Sequence, residues 1–121
     1  MSCDVAKFTI TKGMDNTFEF TIKADGSTLP MVMTAGDTFD ASLINLEDGS
    51  TAITKAMVKD ADLVSGKTSL IITAAETNAL VSDRGSKTDR YYLRPTYKLL
   101  IECSTTNNGD FIARVPEVYV D

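Results

Sequence analysis

The sequence predicts an all-β fold: an antiparallel sandwich or barrel of about seven strands, with one short helix before the penultimate strand. Three observations carry this expectation. Apolar residues recur at every second position rather than at helical spacing, as in Phe18, Phe20 and Ile22. Clusters of Gly, Asp, Asn and Ser interrupt the apolar runs at intervals of roughly 8 to 15 residues. A helix-start signal comes late, at Thr73 and Glu76.

In the first strand Ala6, Phe8 and Ile10 alternate with Lys7 and Thr9, and Gly13-Met14-Asp15-Asn16 turns the chain. The second sets Phe18, Phe20 and Ile22 against Thr17, Glu19, Thr21 and Lys23, and ends at Asp25-Gly26-Ser27. Residues 29–33 include Pro30, which cannot donate to a central ladder, so this run belongs at an edge or in a connection. Residues 38–46 form a strand with Phe39, Ala41 and Leu43 inward. The apolar parity then moves to Ile44 and Leu46, as a one-residue bulge would cause. Asp48-Gly49-Ser50 turns the chain into residues 51–58, where Ile53 and Met57 oppose Thr54 and Ala56; this weaker pattern fits a strand or a solvent-side helix turn, and the Asp-Gly hairpin signal favours strand.

Residues 67–73 place Leu70 and Ile72 on one face and Ser69 and Ile71 on the other. Thr73-Ala74-Ala75-Glu76 fits a capping box, in which the threonine hydroxyl takes an orphan backbone N–H and the glutamate reaches back, so a helix of at most two turns follows. After a polar stretch over 82–89, residues 96–103 put Tyr97, Leu99, Ile101 and Cys103 inward, which buries the thiol. Asn108-Gly109 marks a tight hairpin. In the closing strand Phe111, Ala113 and Val115 share one parity and Val118 and Val120 the other, so the strand bends or bulges at Pro116. With no repeat, low-complexity tract or linker, residues 1–121 are expected to form one domain.

A chain of 121 residues buries roughly two thirds of its unfolded surface and needs no staples. Cys3 and Cys103 are therefore expected to be thiols rather than a disulfide framework. The absence of histidine removes imidazole-based hydrolase dyads and most transition-metal sites, so no enzyme is expected. No apolar run approaches the roughly 20 residues of a membrane span, and the first residues lack the pattern of a signal peptide. No cofactor is expected. Asp60, Asp62, Asp48 and Glu47 lack the spacing of a calcium loop, and Ser65-Gly66-Lys67-Thr68 echoes a phosphate loop without its upstream glycine.

The net charge of −5 is unevenly spread: residues 1–82 hold 6 basic and 11 acidic side chains, and residues 83–121 hold 6 of each. Arg84, Lys87, Arg90, Arg94 and Lys98 face only Asp89 between positions 84 and 98, interleaved with Tyr91, Tyr92 and Tyr97. Arg and Tyr are favoured at protein interfaces, so Arg84, Lys87, Arg90, Tyr91, Tyr92 and Arg94 form the candidate interface. The acidic total disfavours nucleic acid as a partner, because phosphate neutralisation dominates that affinity.

The order of Phe8-Thr-Ile-Thr-Lys-Gly13, Ala35-Gly36-Asp37-Thr38-Phe39, Leu70-Ile-Ile-Thr-Ala-Ala-Glu-Thr77 and Glu117-Val-Tyr-Val120 resembles the Ig-like β-sandwich modules of tailed-bacteriophage virion proteins. The closest pattern is that of baseplate upper protein N-terminal domains. The resemblance implies a virion structural or adaptor role in capsid decoration, neck or collar, or tail and baseplate attachment. It also implies assembly in the host cytoplasm, other phage structural proteins as partners, and a symmetric homo-oligomer or multiple copies in the particle, with no membrane involved. The alternative is a carbohydrate-binding β-sandwich in which Tyr91, Tyr92 and Tyr119 stack on sugar rings, a reading weakened by the absence of tryptophan.

Overall fold

Period-two burial is realised in two sheets that share one interior. The computed structural model describes residues 2–3, 6–23, 29–81 and 95–120. In chain order the strands are β1 (Ser2–Cys3), β2 (Lys7–Ile10), β3 (Asn16–Lys23), β4 (Thr38–Asn45), β5 (Thr51–Ala56), β6 (Val58–Lys59), β7 (Lys67–Ile72), β8 (Tyr97–Thr105) and β9 (Gly109–Val120). A 3₁₀ turn (Leu63–Ser65) precedes β7, and helix α1 (Ala74–Asn78) lies between β7 and β8. One sheet has the order β1-β3-β7-β6 and the other β2-β9-β8-β4-β5.

The expected all-β class and late helix are present, in a sandwich-like arrangement. Among the described residues seven strands have four or more residues, and β1 and β6 add two short ones. One point corrects the antiparallel expectation. β2 runs parallel to β9, with Lys7 opposite Glu117 and Ile10 opposite Val120, while the other pairs are antiparallel. Alternation fixes which side chains face inward but carries no information on partner direction.

The core takes Phe20, Ile22, Leu70 and Ile72 from one sheet and Phe39, Ala41, Leu43, Tyr97, Leu99, Ile101, Cys103, Ala113 and Val115 from the other. Cys103 is buried as expected, its thiol donating to the Ile101 carbonyl at 3.4 Å. Phe8 on β2 lies with its ring centroid 4.4 Å from Phe18 and 5.5 Å from Phe20, so aromatic contact joins the edge of one sheet to the other.

Two irregularities fall where the parity shifts. Between Tyr97–Val118 and Leu99–Val115 the longer path lies on β9, so the extra residue sits beside Pro116 and both flanking valines stay inward. The second shift, at Leu43 and Ile44, has a different form. β4 runs in unbroken register along β8, and the extra residue belongs to β5, where Ile53 and Thr51 oppose Leu43 and Ile44. Leu46 consequently remains exposed. The run over 51–58 is also divided: Met57 is buried, its N–H donates to the Phe39 carbonyl at 2.7 Å, and the chain passes there from β5 to β6 in the opposite sheet.

Local polar groups hold the connections. Thr73 caps α1 by accepting from Glu76 N–H, Glu76 accepts from Thr73 N–H, and Lys55 of β5 binds Glu76 at 2.8 Å. The Lys55 hydrogen bond, with those from Thr73, holds the Glu76 carboxyl below its ordinary range. Asp37 is buried and accepts from Thr34 N–H (2.9 Å), Thr34 Oγ1 (2.6 Å) and Thr106 N–H (3.0 Å). Burial pushes its carboxyl up, but the Thr34 and Thr106 hydrogen bonds and the Lys59 charge outweigh it, and the net direction is below 3.8. Lys59 Nζ in turn donates to the Ala35 carbonyl at 2.7 Å and to that of Asp37.

Asp37→Asn should lose about 2–3 kcal/mol near neutral pH, because charge-assisted hydrogen bonds to a buried carboxylate weaken together. A depressed folded-state value means that the charge contributes fully above the unfolded value and is lost as pH falls through the folded one. Denaturant titrations should therefore show the gap between wild type and variant closing below about pH 4. A second pair of variants separates strain from crowding. Gly66 and Gly49 both have positive φ, but a Cβ at Gly66 would lie 2.9 Å from the Ile22 carbonyl oxygen and from Pro30 Cβ, whereas Gly49 has open space. Gly66→Ala should cost about 3 kcal/mol and Gly49→Ala about 1 kcal/mol in the same assay.

Candidate interaction surface

Arg84, Lys87, Arg90, Tyr91, Tyr92 and Arg94 all lie outside the described residues. The residues that flank them are fixed by the strand pattern. Tyr97 opens β8 facing inward, and its hydroxyl accepts from Val81 N–H at 2.9 Å. Thr96 N–H donates to the Val118 carbonyl and Leu46 N–H donates to the Thr96 carbonyl. Tyr97 and Thr96 thus tie Val81, Val118 and Leu46 together at one pole, beside the β4–β5 turn. Tyr97 belongs to the core. Alternation revealed its inward direction, but the Val81 partner has no sequence signal.

The pole also carries Glu47 and Asp48. Hydrogen bonds from the Ser50 hydroxyl and N–H hold the Asp48 carboxyl below its ordinary range, and Asn45 Oδ1 accepts from Glu47 N–H. These acids shape their turn. Asp60 and Asp62 likewise serve the 3₁₀ turn, accepting from the Ser65 hydroxyl and Val64 N–H. Among the described residues no group of three or more His, Cys, Asp or Glu is arranged to hold a metal ion.

The five-stranded sheet presents a regular outer face. Because Phe39, Ala41 and Leu43 point inward, Thr38, Asp40, Ser42 and Ile44 point outward, joined by Lys98, Leu100, Glu102 and Ser104 of β8. Asp110, Ile112 and Arg114 continue the face on β9. Asp40 stands in register with Glu102, and a groove of about 330 Å³ runs past both, bordered by Thr38, Ser104, Asp110 and Ile112. Like charges directly opposite one another destabilise a strand pair by about 0.2–1 kcal/mol. No ion pair among the described residues neutralises either acid. A second groove of about 440 Å³ lies at the β2 edge, lined by Lys7, Phe8, Thr9 and half-buried Tyr119.

Among the described residues no helix is long and apolar enough to cross a membrane. No protein-family model matches the chain, and no curated protein matches it.

Tyr97→Phe tests the anchoring of the pole. Removing the hydroxyl should cost about 1 kcal/mol and leave the Val81 amide without its acceptor. Hydrogen exchange should quicken at Val81 while the amides of β4 and β8 keep their protection.

Proposed function

We propose that the chain is a structural or adaptor component of a tailed-phage virion, acting through noncovalent protein–protein contacts on an Ig-like sandwich. One observation carries this reading. Polar side chains that are held in place brace turns and caps, as Asp37, Glu76, Lys59 and Asn16 do, while the uncommitted charges spread over an open sheet face. Such a division suits a contact surface rather than a cleft for chemistry. The phage setting is supported by the sequence pattern. On this reading the partners are other phage structural proteins, the chain assembles in the host cytoplasm, and several copies enter each particle. The basic stretch supplies Arg90 and Arg94 as contacts.

Tyr119, half-buried in the groove with Lys7 and Thr9, favours a second reading as a carbohydrate-binding module.

Quantitative mass spectrometry of purified particles should find the chain at a fixed, symmetric copy number. Reversing charge at Arg90 and Arg94 should lower its incorporation severalfold without changing its melting temperature. Unchanged incorporation would remove the basic stretch from the interface. Binding on a broad glycan array that is lost in Tyr119→Ala, with the chain absent from particles, would replace the virion reading with the carbohydrate one.

A further inference from the structure

The outward charges of β4, β8 and the 110–114 part of β9 are sorted across a diagonal. Ile112 on β9 is in register with Glu102, Leu100 on β8 with Ser42, and Ile44 on β4 with Lys98. Ile112, Leu100 and Ile44 therefore step by one row on successive strands and form an oblique apolar stripe. Ile112 is 43% exposed, and Leu100 and Ile44 are half-buried. Asp110, Glu102 and Asp40 lie on one side of the stripe. Arg114, in register with Leu100, and Lys98 lie on the other, where the one acid of β9 on that side, Glu117, stands opposite Lys7 of β2. No ion pair among the described residues joins the two sides.

We infer that this face pairs with the same face of a second copy of the chain, about a two-fold axis that runs along the apolar stripe. An axis lying in the contact plane sets every point of the face against its mirror position across the axis. Leu100 then meets Leu100 of the other copy, and the acidic side of each copy meets the basic side of the other. Arg114 falls over the in-register pair Asp40 and Glu102, supplying a counter-charge that no ion pair among the described residues gives this pair. A uniformly basic partner would leave Arg114 and Lys98 opposed by like charge, and a uniformly acidic one would do the same to the three acids. The sorted pattern is complementary to itself.

The geometry agrees with known sheet packing. With strands about 4.8 Å apart and outward rows about 6.7 Å apart, the stripe lies roughly 35° from the strand direction, so strands of the two copies cross at about 70°, near the orthogonal class. The four rows and five strands cover roughly 600 Å² per copy, somewhat below the roughly 800 Å² of a standard interface. A reversible, concentration-dependent dimer follows. The inference rests on reading the chain as a contact module and does not depend on membership of a phage particle.

Sedimentation equilibrium at about 0.15 M salt, from about 10 µM to about 1 mM protein, reads the association directly. The average mass should rise from monomer toward dimer. Leu100→Asp should hold it at monomer, and Arg114→Glu should weaken association about tenfold. Adding Glu102→Arg to Arg114→Glu should restore it, because a two-fold contact exchanges both charges at once. All positions are on the outward face, and circular dichroism with thermal melting verifies folding. Should Leu100→Asp fail to fold, the charge exchange decides alone. A monomer at every concentration, or a dimer indifferent to all the folded variants, overturns the inference. A monomer that still enters particles at fixed copy number would overturn the two-fold contact and leave the virion reading standing, whereas a dimer absent from particles would do the reverse.

Discussion

The parity of β4, β8 and β9 constrains everything else in the molecule. These strands are central in their sheet, and their inward residues, from Phe39 through Ile101 to Val115, fill the space facing the second sheet. A slip of one residue would place Asp40 and Glu102 in that interior and Phe39 and Cys103 in water. Buried carboxylates without partners cost far more than a sheet of this size can absorb, so the register is strongly specified. The same specification dictates the outer face, because whatever alternates with the core residues must stand in a fixed row. Charge sorting across Ile112, Leu100 and Ile44 is thus held as rigidly as the core.

Where the chain leaves regular pairing, it does so in ways that protect this parity. Pro116 cannot donate to the ladder, and the extra residue beside it lets Val115 and Val118 both face inward. Met57 lets the chain change sheets while its own side chain remains in the core. Asp37 then ties three pieces that sequence separates widely: the connection before β4, the β8–β9 hairpin through Thr106, and β6 through Lys59. The carboxylate makes the first two ties because its two oxygens accept from several donors at once, while Lys59 reaches the main-chain carbonyl of Asp37 and offsets the charge.

Much of this was legible in the residues. Strand positions, the capping box at Thr73 and Glu76, the buried Cys103 and the bulge at Pro116 are local features, each readable from a few neighbouring side chains. Direction and sheet membership are not local. Nothing in Lys7 to Ile10 reveals that its partner runs parallel, and the run over 51–58 reads as one strand because Met57 fits an inward position in either sheet. The bracing role of Asp37 has no sequence signal, since its donors at Thr34 and Thr106 converge only after folding. The outer face was hidden for the same reason. Asp40, Glu102 and Arg114 are scattered in sequence and become one pattern only through the register of three strands.

The net charge of −5 opposes self-association at long range, since two copies bring ten excess negative charges together. Distance resolves the conflict. At physiological ionic strength repulsion between exposed charges is screened beyond about 8 Å, whereas ion pairs in a contact lose much less to salt. Net charge then acts mainly on the approach of the two copies, while the sorted face acts once they touch. An evenly mixed surface of the same total charge would have the first effect without the second. The arrangement of charge across the stripe, rather than its sum, therefore determines whether one copy can recognise another.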